Sequence, residues 1–138
     1  MGDGEDREEL SRVINESPIK DRVHLLGTIL DAPKILGAFD ALLVPSLKEG
    51  LPYVILEAGI AGVPVLTRNV GGIPDIISHM HNGILVESED PTEWGKAIFQ
   101  LATNPVLRHQ LGDSLYETVT KRFSLSSTLD AMRSLYQS

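Results

Sequence analysis

The sequence predicts an α/β fold in which helices flank a parallel β-sheet. Three short apolar segments, at residues 41–44, 63–67 and 83–86, are typical of strands that are buried in a sheet. Helical patterns separate these segments, and strands that alternate with helices build parallel sheets. A length of 138 residues fits one domain.

The elements before residue 45 are predicted to be two helices and two strands. Residues 5–16 have their apolar side chains on one helical face, and residues 22–26 have the pattern of a short strand that Gly27 ends. Residues 32–39 are predicted to form a short helix. The strand at 41–44 is apolar throughout, so we expect it to be buried on both faces.

The elements after residue 45 alternate more regularly. A helix is predicted over 52–61, with Gly62 at its end. The strand at 63–67 follows, and the glycine turn at 71–74 then opens another helix. After the strand at 83–86, the remaining helices are predicted at 91–102, 105–122 and 124–136.

The start of the chain lacks a strand that its pattern leads one to expect. Residues 2–4 (GDG) are typical of a turn that follows a strand, yet only Met1 precedes them. Doubly wound domains of the common six-strand kind have the strand order 3-2-1-4-5-6. Only four strands are predicted here, and if the two missing strands are the first two, they are central strands of the sheet. We therefore expect a C-terminal piece of a larger protein, open to self-association through its incomplete sheet. Its first ~30 residues should be the less stable part, because their strand lacks a neighbour.

Composition and charge exclude several classes of protein. The net charge of −7 argues against nucleic acid as a partner, because nucleic acid requires a basic surface. It also argues against direct contact with an anionic membrane. The absence of cysteine excludes disulfides and thiolate metal sites. Without a secretory signal, or the ~20 apolar residues of a membrane-spanning helix, we expect a cytoplasmic location.

The segment at 48–59 (KEGLPYVILEAG) is the most informative part of the sequence. Gly50 permits a sharp turn, and Pro52 suits the first helical position. Leu51, near the predicted N-cap, offers no side-chain oxygen to the first N–H groups of the helix. Those N–H groups, from Tyr53 onward, are left for water or a ligand. Together with the helix dipole they suit a phosphate.

Two glutamates flank this predicted phosphate site. Glu57 lies about 7.5 Å beyond Pro52 along the helix axis, roughly the distance from a diphosphate to its ribose. Glu49 precedes the turn and would face the other end of the ligand, where a sugar lies. Carboxylates form strong hydrogen bonds with vicinal hydroxyls, so a nucleotide-sugar fits both ends. The same residues also allow a strand–turn–helix with two exposed glutamates and no ligand.

An ordered series of motifs around this segment resembles glycosyltransferase family 4, the retaining, nucleotide-sugar-dependent enzymes of the GT-B fold. In order, the motifs are RVHLLG at 22–27, PS at 45–46, EGLP at 49–52, LEA at 56–58, GVPV at 62–65, VGGIPD at 70–75, NGILV at 82–86, DP at 90–91 and RFS at 122–124. The resemblance covers nearly the whole chain. It implies a nucleotide-sugar-binding domain over 1–138: the Rossmann-like C-terminal domain of a GT-B fold, incomplete at its N-terminal end.

The resemblance also implies site residues. Glu49 matches the first glutamate of the Glu-x7-Glu motif, which contacts the donor sugar. It is the candidate catalytic residue, acting as a sugar-positioning group rather than as a covalent nucleophile. Glu57 matches the second glutamate, which holds the ribose. Many members of the family have glycine where this chain has Pro52, and more often asparagine at the position of Tyr53. Both departures bear on sugar preference.

Backbone contacts to the donor are implied at two further places. One is the loop that meets the sugar and the phosphates, and the other is the segment beside the nucleobase. The residues are Gly50, Leu51 and Tyr53 in the loop, and Leu26, Gly27 and Thr28 beside the base.

The implied function is the donor-binding part of a retaining glycosyltransferase of the hexosyltransferase type, which transfers a sugar from a nucleoside diphosphate to an acceptor hydroxyl. In the family, a basic pair that neutralises the diphosphate and an acceptor-binding domain lie upstream. The missing domain would bind a glycan, lipid or small-molecule acceptor and could bring the protein to a membrane surface. The isolated chain should therefore be inactive and bind donor weakly, with no cofactor or metal. The alternatives are a non-catalytic nucleotide- or sugar-binding module and an inactive fragment that needs a partner chain.

Other polar clusters favour structural explanations. The acidic segment at 87–93 could bind a hard cation, but it lacks the ligand spacing of a calcium loop and suits a solvated turn. His79 and His81 lie in a polar loop with little to indicate a metal pair. The glycine turn at 71–74 is followed by Asp75, which would repel a phosphate and favours a structural role. Lys48 could meet a phosphate or simply be solvated.

Overall fold

The computed structural model describes residues 4, 6–50 and 52–123. In chain order the elements are α1 (Arg7–Glu16), β1 (Leu42–Val44), α2 (Tyr53–Ile60), β2 (Val65–Arg68), β3 (Ile84–Val86), α3 (Pro91–Thr103) and α4 (Pro105–Arg122). Short 3₁₀ segments lie at Lys20–Arg22, Ala32–Ala38 and Ile73–Asp75. The helix predicted at 124–136 lies outside the described residues. The chain divides into two compact units, Met1–Ala32 and Pro33–Ser138.

The sheet of the second unit has three strands in the order β1-β2-β3, and both pairs are parallel. In its register, Leu43 lies opposite Leu66, and Thr67 lies opposite Leu85. Each crossover between neighbouring strands contains helical structure, as parallel pairing requires. The predicted α/β class with a parallel sheet is therefore confirmed.

Apolar side chains pack on both faces of the sheet. Successive residues of β2 point to opposite faces, so Val65 and Leu66 enter different clusters, and both are fully buried. The Val65 cluster packs α2 and α4 onto the sheet, and it contains Val44, Ile55, Ala58, Val63, Ile73, Ile76, Ile77, Leu115 and Val119. The Leu66 cluster packs α3 and Leu111 of α4 onto the opposite face of the sheet. It also contains Ile84, Val86, Ala97 and Leu101.

The ends of the helices follow local sequence rules. The side chain of Asp90 caps α3 by accepting a hydrogen bond from the N–H of Thr92 at 2.9 Å, and this bond lowers the pKa of Asp90. α2 ends at Ile60, and the left-handed residue Gly62, which has φ of +69°, follows its C-cap Ala61. The N–H groups of Gly62 and Val63 donate to the carbonyls of Gly59 and Ala58, the pattern of a Schellman motif.

The strand predicted at 22–26 is wrong. Lys20–Arg22 is a 3₁₀ turn, and residues 23–29 have no regular structure. The alternation of His24 with apolar neighbours is compatible with a strand, but a strand forms only when another strand pairs with its N–H and C=O groups. Within the described residues no strand pairs with this segment, and His24 is exposed.

Two further predictions require correction. The turn at 71–74 opens only the 3₁₀ segment Ile73–Asp75, not a longer helix. The side chain of Asn82 donates a hydrogen bond to the carbonyl of Ile76 and accepts one from the N–H of Ser78. In a longer helix, these two backbone groups would instead bond to other backbone groups of the helix. β1 is not buried on both faces, since Leu43 is 42% exposed. In the described part of the sheet, β1 is an edge strand.

Candidate functional site

The carboxyl ends of the three strands lie at one edge of the sheet, the edge at which open α/β folds bind ligands. β1 leads there into the β1–α2 loop (residues 45–50), which carries Glu49. β2 leads through Asn69 and Val70 into the glycine turn at 71–74, and β3 leads into the acidic turn at 87–90. The parallel topology therefore brings together three segments that are far apart in sequence.

The first turn of α2 has unused N–H groups. The helix begins at Tyr53, one residue later than predicted, so Pro52 is the N-cap and makes no side-chain hydrogen bond. Pro52 accepts a backbone hydrogen bond from the N–H of Ile55 at 3.0 Å. Within the described residues, no acceptor serves the N–H groups of Tyr53 and Val54. These two donors and the positive end of the helix dipole are available to an anion.

Two glutamates flank this helix start along the chain. Glu49 lies in the β1–α2 loop before α2, and Glu57 lies on its second turn. Both side chains are half-buried, and neither forms a hydrogen bond or ion pair with another residue in the described part of the chain. A carboxylate that is partly withdrawn from water and has no protein partner is suited to accept hydrogen bonds from a ligand.

The other predicted contact residues have different positions. Gly50 is exposed in the β1–α2 loop, and the side chain of Tyr53 is 75% exposed at the start of α2. Leu51 lies outside the described residues. Leu26 and Thr28 are exposed and Gly27 is half-buried, all within the first unit, whereas α2 belongs to the second unit.

The acidic turn at 87–90 is tied to the end of β2. Glu87 accepts a hydrogen bond from the side-chain amide of Asn69 at 3.1 Å, and Glu89 accepts one from the guanidinium of Arg68 at 3.2 Å. Two of the acidic side chains therefore have hydrogen-bond partners at the end of β2. Sequence reasoning missed Arg68 and Asn69, whose only signal was their position directly at the end of a strand.

Neither the acidic turn nor the histidine loop forms a metal centre in the described part of the chain. No group of three or more His, Asp or Glu side chains is arranged there to hold a metal ion. The Nδ1 atom of His79 accepts a hydrogen bond from the N–H of Leu85 at 3.1 Å, so His79 closes the turn before β3. His81 is exposed.

A cavity of ≈ 470 Å³ lies between β3 and α3. It is lined by apolar residues such as Ile84 and Ala97, together with Glu93 and Lys96, which pair with each other at 2.7 Å. None of the predicted donor-binding residues lines this cavity. It is therefore a separate feature from the start of α2.

Comparison with known proteins identifies relatives along most of the chain. The family model described as "Glycosyl transferases group 1" matches residues 1–104. N-acetyl-alpha-D-glucosaminyl L-malate synthase of Bacillus anthracis is 31% identical over 136 residues, which are 99% of this chain and 36% of that protein. UDP-Gal:alpha-D-GlcNAc-diphosphoundecaprenol alpha-1,3-galactosyltransferase of Escherichia coli is 30% identical over 137 residues, which are 99% of this chain and 35% of that protein.

A solved structure has the same fold. Sucrose-phosphate synthase from Thermosynechococcus elongatus superimposes with a TM-score of 0.85 at 28% identity, covering 99% of this chain and 35% of that one. The chain thus spans little more than a third of each of these relatives. Among the described helices, none is both long and apolar enough to cross a membrane. The parallel three-stranded sheet matches the C-terminal domain of GT-B glycosyltransferases, and the chain belongs to the glycosyl transferases group 1 family.

Proposed function

We propose that this chain is the donor-binding part of a retaining glycosyltransferase and binds a nucleoside diphosphate sugar at the start of α2. The observation that carries this proposal is the pair of half-buried carboxylates, Glu49 and Glu57, on either side of two unused N–H groups. A diphosphate suits the N–H groups, and hydroxyl-bearing rings suit the carboxylates. Membership of the glycosyl transferases group 1 family supports the same assignment.

Each part of the site has a chemical task in this proposal. The N–H groups of Tyr53 and Val54 and the dipole of α2 stabilise the diphosphate as it leaves. Glu57 holds the ribose, and Glu49 holds the sugar in position for transfer. The bond between the anomeric carbon and the diphosphate oxygen breaks, and a bond to the acceptor oxygen forms on the same face. The proton of the acceptor hydroxyl passes to the departing diphosphate, so no covalent intermediate with the protein is required.

The donor is proposed to be a uridine diphosphate sugar. The name of the Escherichia coli relative specifies UDP-Gal as its donor, and UDP-galactose is therefore the probe of choice. Sugar transfer is proposed for the whole protein, because this chain spans little more than a third of the length of its glycosyltransferase relatives. For this chain alone we expect donor binding, with a Kd on the order of millimolar, and no transfer.

The decisive variant is Glu57→Ala. Loss of a charged partner for the ribose hydroxyls should weaken UDP binding by about 1.5–3 kcal/mol, or about 10- to 150-fold. NMR titration or calorimetry of the 138-residue chain with UDP measures this change. Binding should persist in EDTA, because in this proposal no metal bridges the diphosphate.

The matched control is Glu117→Gln, which makes the same one-unit change in net charge on the exposed surface of α4. Glu117 pairs with Lys121 at 2.8 Å and lines a surface pocket with His81 and Thr118, and no predicted donor-binding residue lines that pocket. We expect this control to bind UDP like the unaltered chain. If Glu57→Ala and Glu117→Gln bind UDP with the same affinity, Glu57 does not hold the ribose. Failure of the unaltered chain to bind UDP or GDP at all would refute donor binding by this domain.

A further inference from the structure

The glycine turn after β2 lies against the β1–α2 loop. The N–H of Gly72 donates a hydrogen bond to the carbonyl of Gly50 at 2.9 Å. Gly71 has a positive φ of +56°, a conformation that side chains disfavour. The two glycine segments that sequence reasoning treated separately are therefore one packed unit, even though more than 20 residues separate them.

No side chain fits at Gly71. A Cβ atom there would lie 1.8 Å from the carbonyl oxygen of Glu49 and 2.8 Å from its carbonyl carbon. Ordinary contacts between such atoms are about 3.5–4.0 Å, so the Glu49 peptide would have to move by more than roughly 1 Å. The obstructing atoms are backbone and cannot rotate away as a side chain would.

The other end of the β1–α2 loop is also fixed by this part of the chain. The hydroxyl of Thr67 donates a hydrogen bond to the carbonyl of Val44 at 3.0 Å, and Thr67 is fully buried. Val44 is the last residue before the loop and lies opposite Thr67 in the sheet register. The loop is therefore fixed where it leaves the sheet, and again at Glu49 and Gly50.

We propose that the segment from Thr67 to Gly72 positions the β1–α2 loop for donor binding, with Gly71 as the residue that sets the place of Glu49. The inference rests on the proposed function of Glu49 as the sugar-contacting carboxylate. These are positioning residues, since each acts through the loop and not on the ligand. Displacements of about 1 Å in a binding group cost up to about 100-fold in function.

The test compares Gly71→Ala with Gly62→Ala. Both glycines have a positive φ, at +56° and +69°, so both variants have a similar backbone strain. Only Gly71 meets another atom, because a Cβ at Gly62 has nothing within 4 Å. The difference between the two variants therefore isolates the contact with Glu49.

The first readout does not require a ligand. In NMR spectra, Gly71→Ala should move the amide signals of Glu49, Gly50 and Gly72 and speed hydrogen exchange at Gly72 by about 10-fold or more. Gly62→Ala should leave these signals in place. If the signals of the loop are the same in both variants, the contact does not position the loop and the inference is overturned.

The second readout is donor affinity. UDP-galactose affinity should fall about 10-fold in Gly71→Ala and stay unchanged in Gly62→Ala. In Gly71→Ala, the affinity for UDP should fall less than the affinity for UDP-galactose, because Glu49 is assigned to the sugar. A displaced loop with unchanged UDP-galactose affinity would refute the positioning role and leave the proposed function intact. Absence of UDP-galactose binding by the unaltered chain would instead refute the proposed function.

A second pair of variants covers the case in which Gly71→Ala does not fold. Thr67→Val keeps the buried shape and removes the hydroxyl, whereas Thr67→Ser keeps the hydroxyl. We expect Thr67→Val to shift the loop signals and weaken UDP-galactose binding several-fold, and Thr67→Ser to restore both. Equal behaviour of the Val and Ser variants would contradict anchoring through Thr67.

Discussion

At the scale of the residue, Asn82 shows how one buried polar side chain determines the path of the backbone. It is 2% exposed and uses both ends of its amide. Its Oδ1 accepts from the N–H of Ser78 at 2.7 Å, and its Nδ2 donates to the carbonyl of Ile76 and to the hydroxyl of Thr118. These bonds close the turn that leads into β3 and connect it to α4.

We expect Asn82→Ala to destabilise the protein by about 2–4 kcal/mol, because three hydrogen bonds are lost and the buried carbonyl of Ile76 is left unpaired. Thr118→Val is the control, since it removes one of the three, together with the bond from the Thr118 hydroxyl to the carbonyl of Ser114, and should cost about 1 kcal/mol. Urea unfolding of both variants gives the free energies. Equal losses in the two variants would mean that the turn does not depend on Asn82.

The sequence predicts some of these residues and not others, for a physical reason. Glu49 and Glu57 are recognisable because their spacing within one turn and helix is local. Thr67 is not, because its partner Val44 lies 23 residues away, and neither is the bond from Asn82 to Thr118, which lies 36 residues away. Such a hydrogen bond forms only when the fold brings two distant segments together, so the sequence alone does not identify the partner.

At the scale of the element, the starts of α3 and α4 were predictable and one strand was not. Pro91 and Pro105 start α3 and α4, and Asp90 and Asn104 cap them, as local rules require. These preferences need no distant partner. The segment at 22–26 has an equally clear local pattern, but a strand depends on its neighbour, and the prediction there is wrong.

Two helical glycines provide a direct test of packing between elements. Gly112 of α4 is buried against the end of α2, where a Cβ would lie 2.1 Å from the carbonyl oxygen of Gly62. Gly95 of α3 has nothing within 4 Å of that position. Both are in helix interiors, so alanine raises helix propensity at both by about 1 kcal/mol.

We therefore expect opposite signs for the two substitutions. Gly95→Ala should stabilise the protein by about 0.5–1 kcal/mol. Gly112→Ala should destabilise it by about 1–3 kcal/mol, because the added methyl group collides with backbone. Urea unfolding measures both changes. A stabilising Gly112→Ala would show that α4 does not pack closely on the end of α2.

At the scale of the whole molecule, the two units differ in how much core they contain. The apolar clusters around Val65 and Leu66 lie entirely in the second unit. In the first unit, α1 has no buried residue, and its apolar Leu10 and Val13 are about half exposed. Family and fold class were predictable because the motif series runs along nearly the whole chain, whereas this difference depends on tertiary burial.

Hydrogen exchange tests the difference between the units. Amides of α1 should exchange at least about 100-fold faster than those of β2, because local opening of α1 exposes no core. The measurement is made on the intact chain by NMR or mass spectrometry. Uniform protection of α1 and β2 would contradict the expectation that the first ~30 residues are the less stable part.

The central claim, a donor diphosphate bound at the start of α2, is tested most directly by NMR titration of the isotope-labelled chain with UDP. NMR suits the weak affinity that we expect, on the order of millimolar. The account predicts saturable shifts of the amide signals of Tyr53 and Val54, with smaller shifts near Glu57, and weaker effects from uridine, which lacks the diphosphate. Unchanged Tyr53 and Val54 signals, or shifts confined to the cavity between β3 and α3, would contradict it.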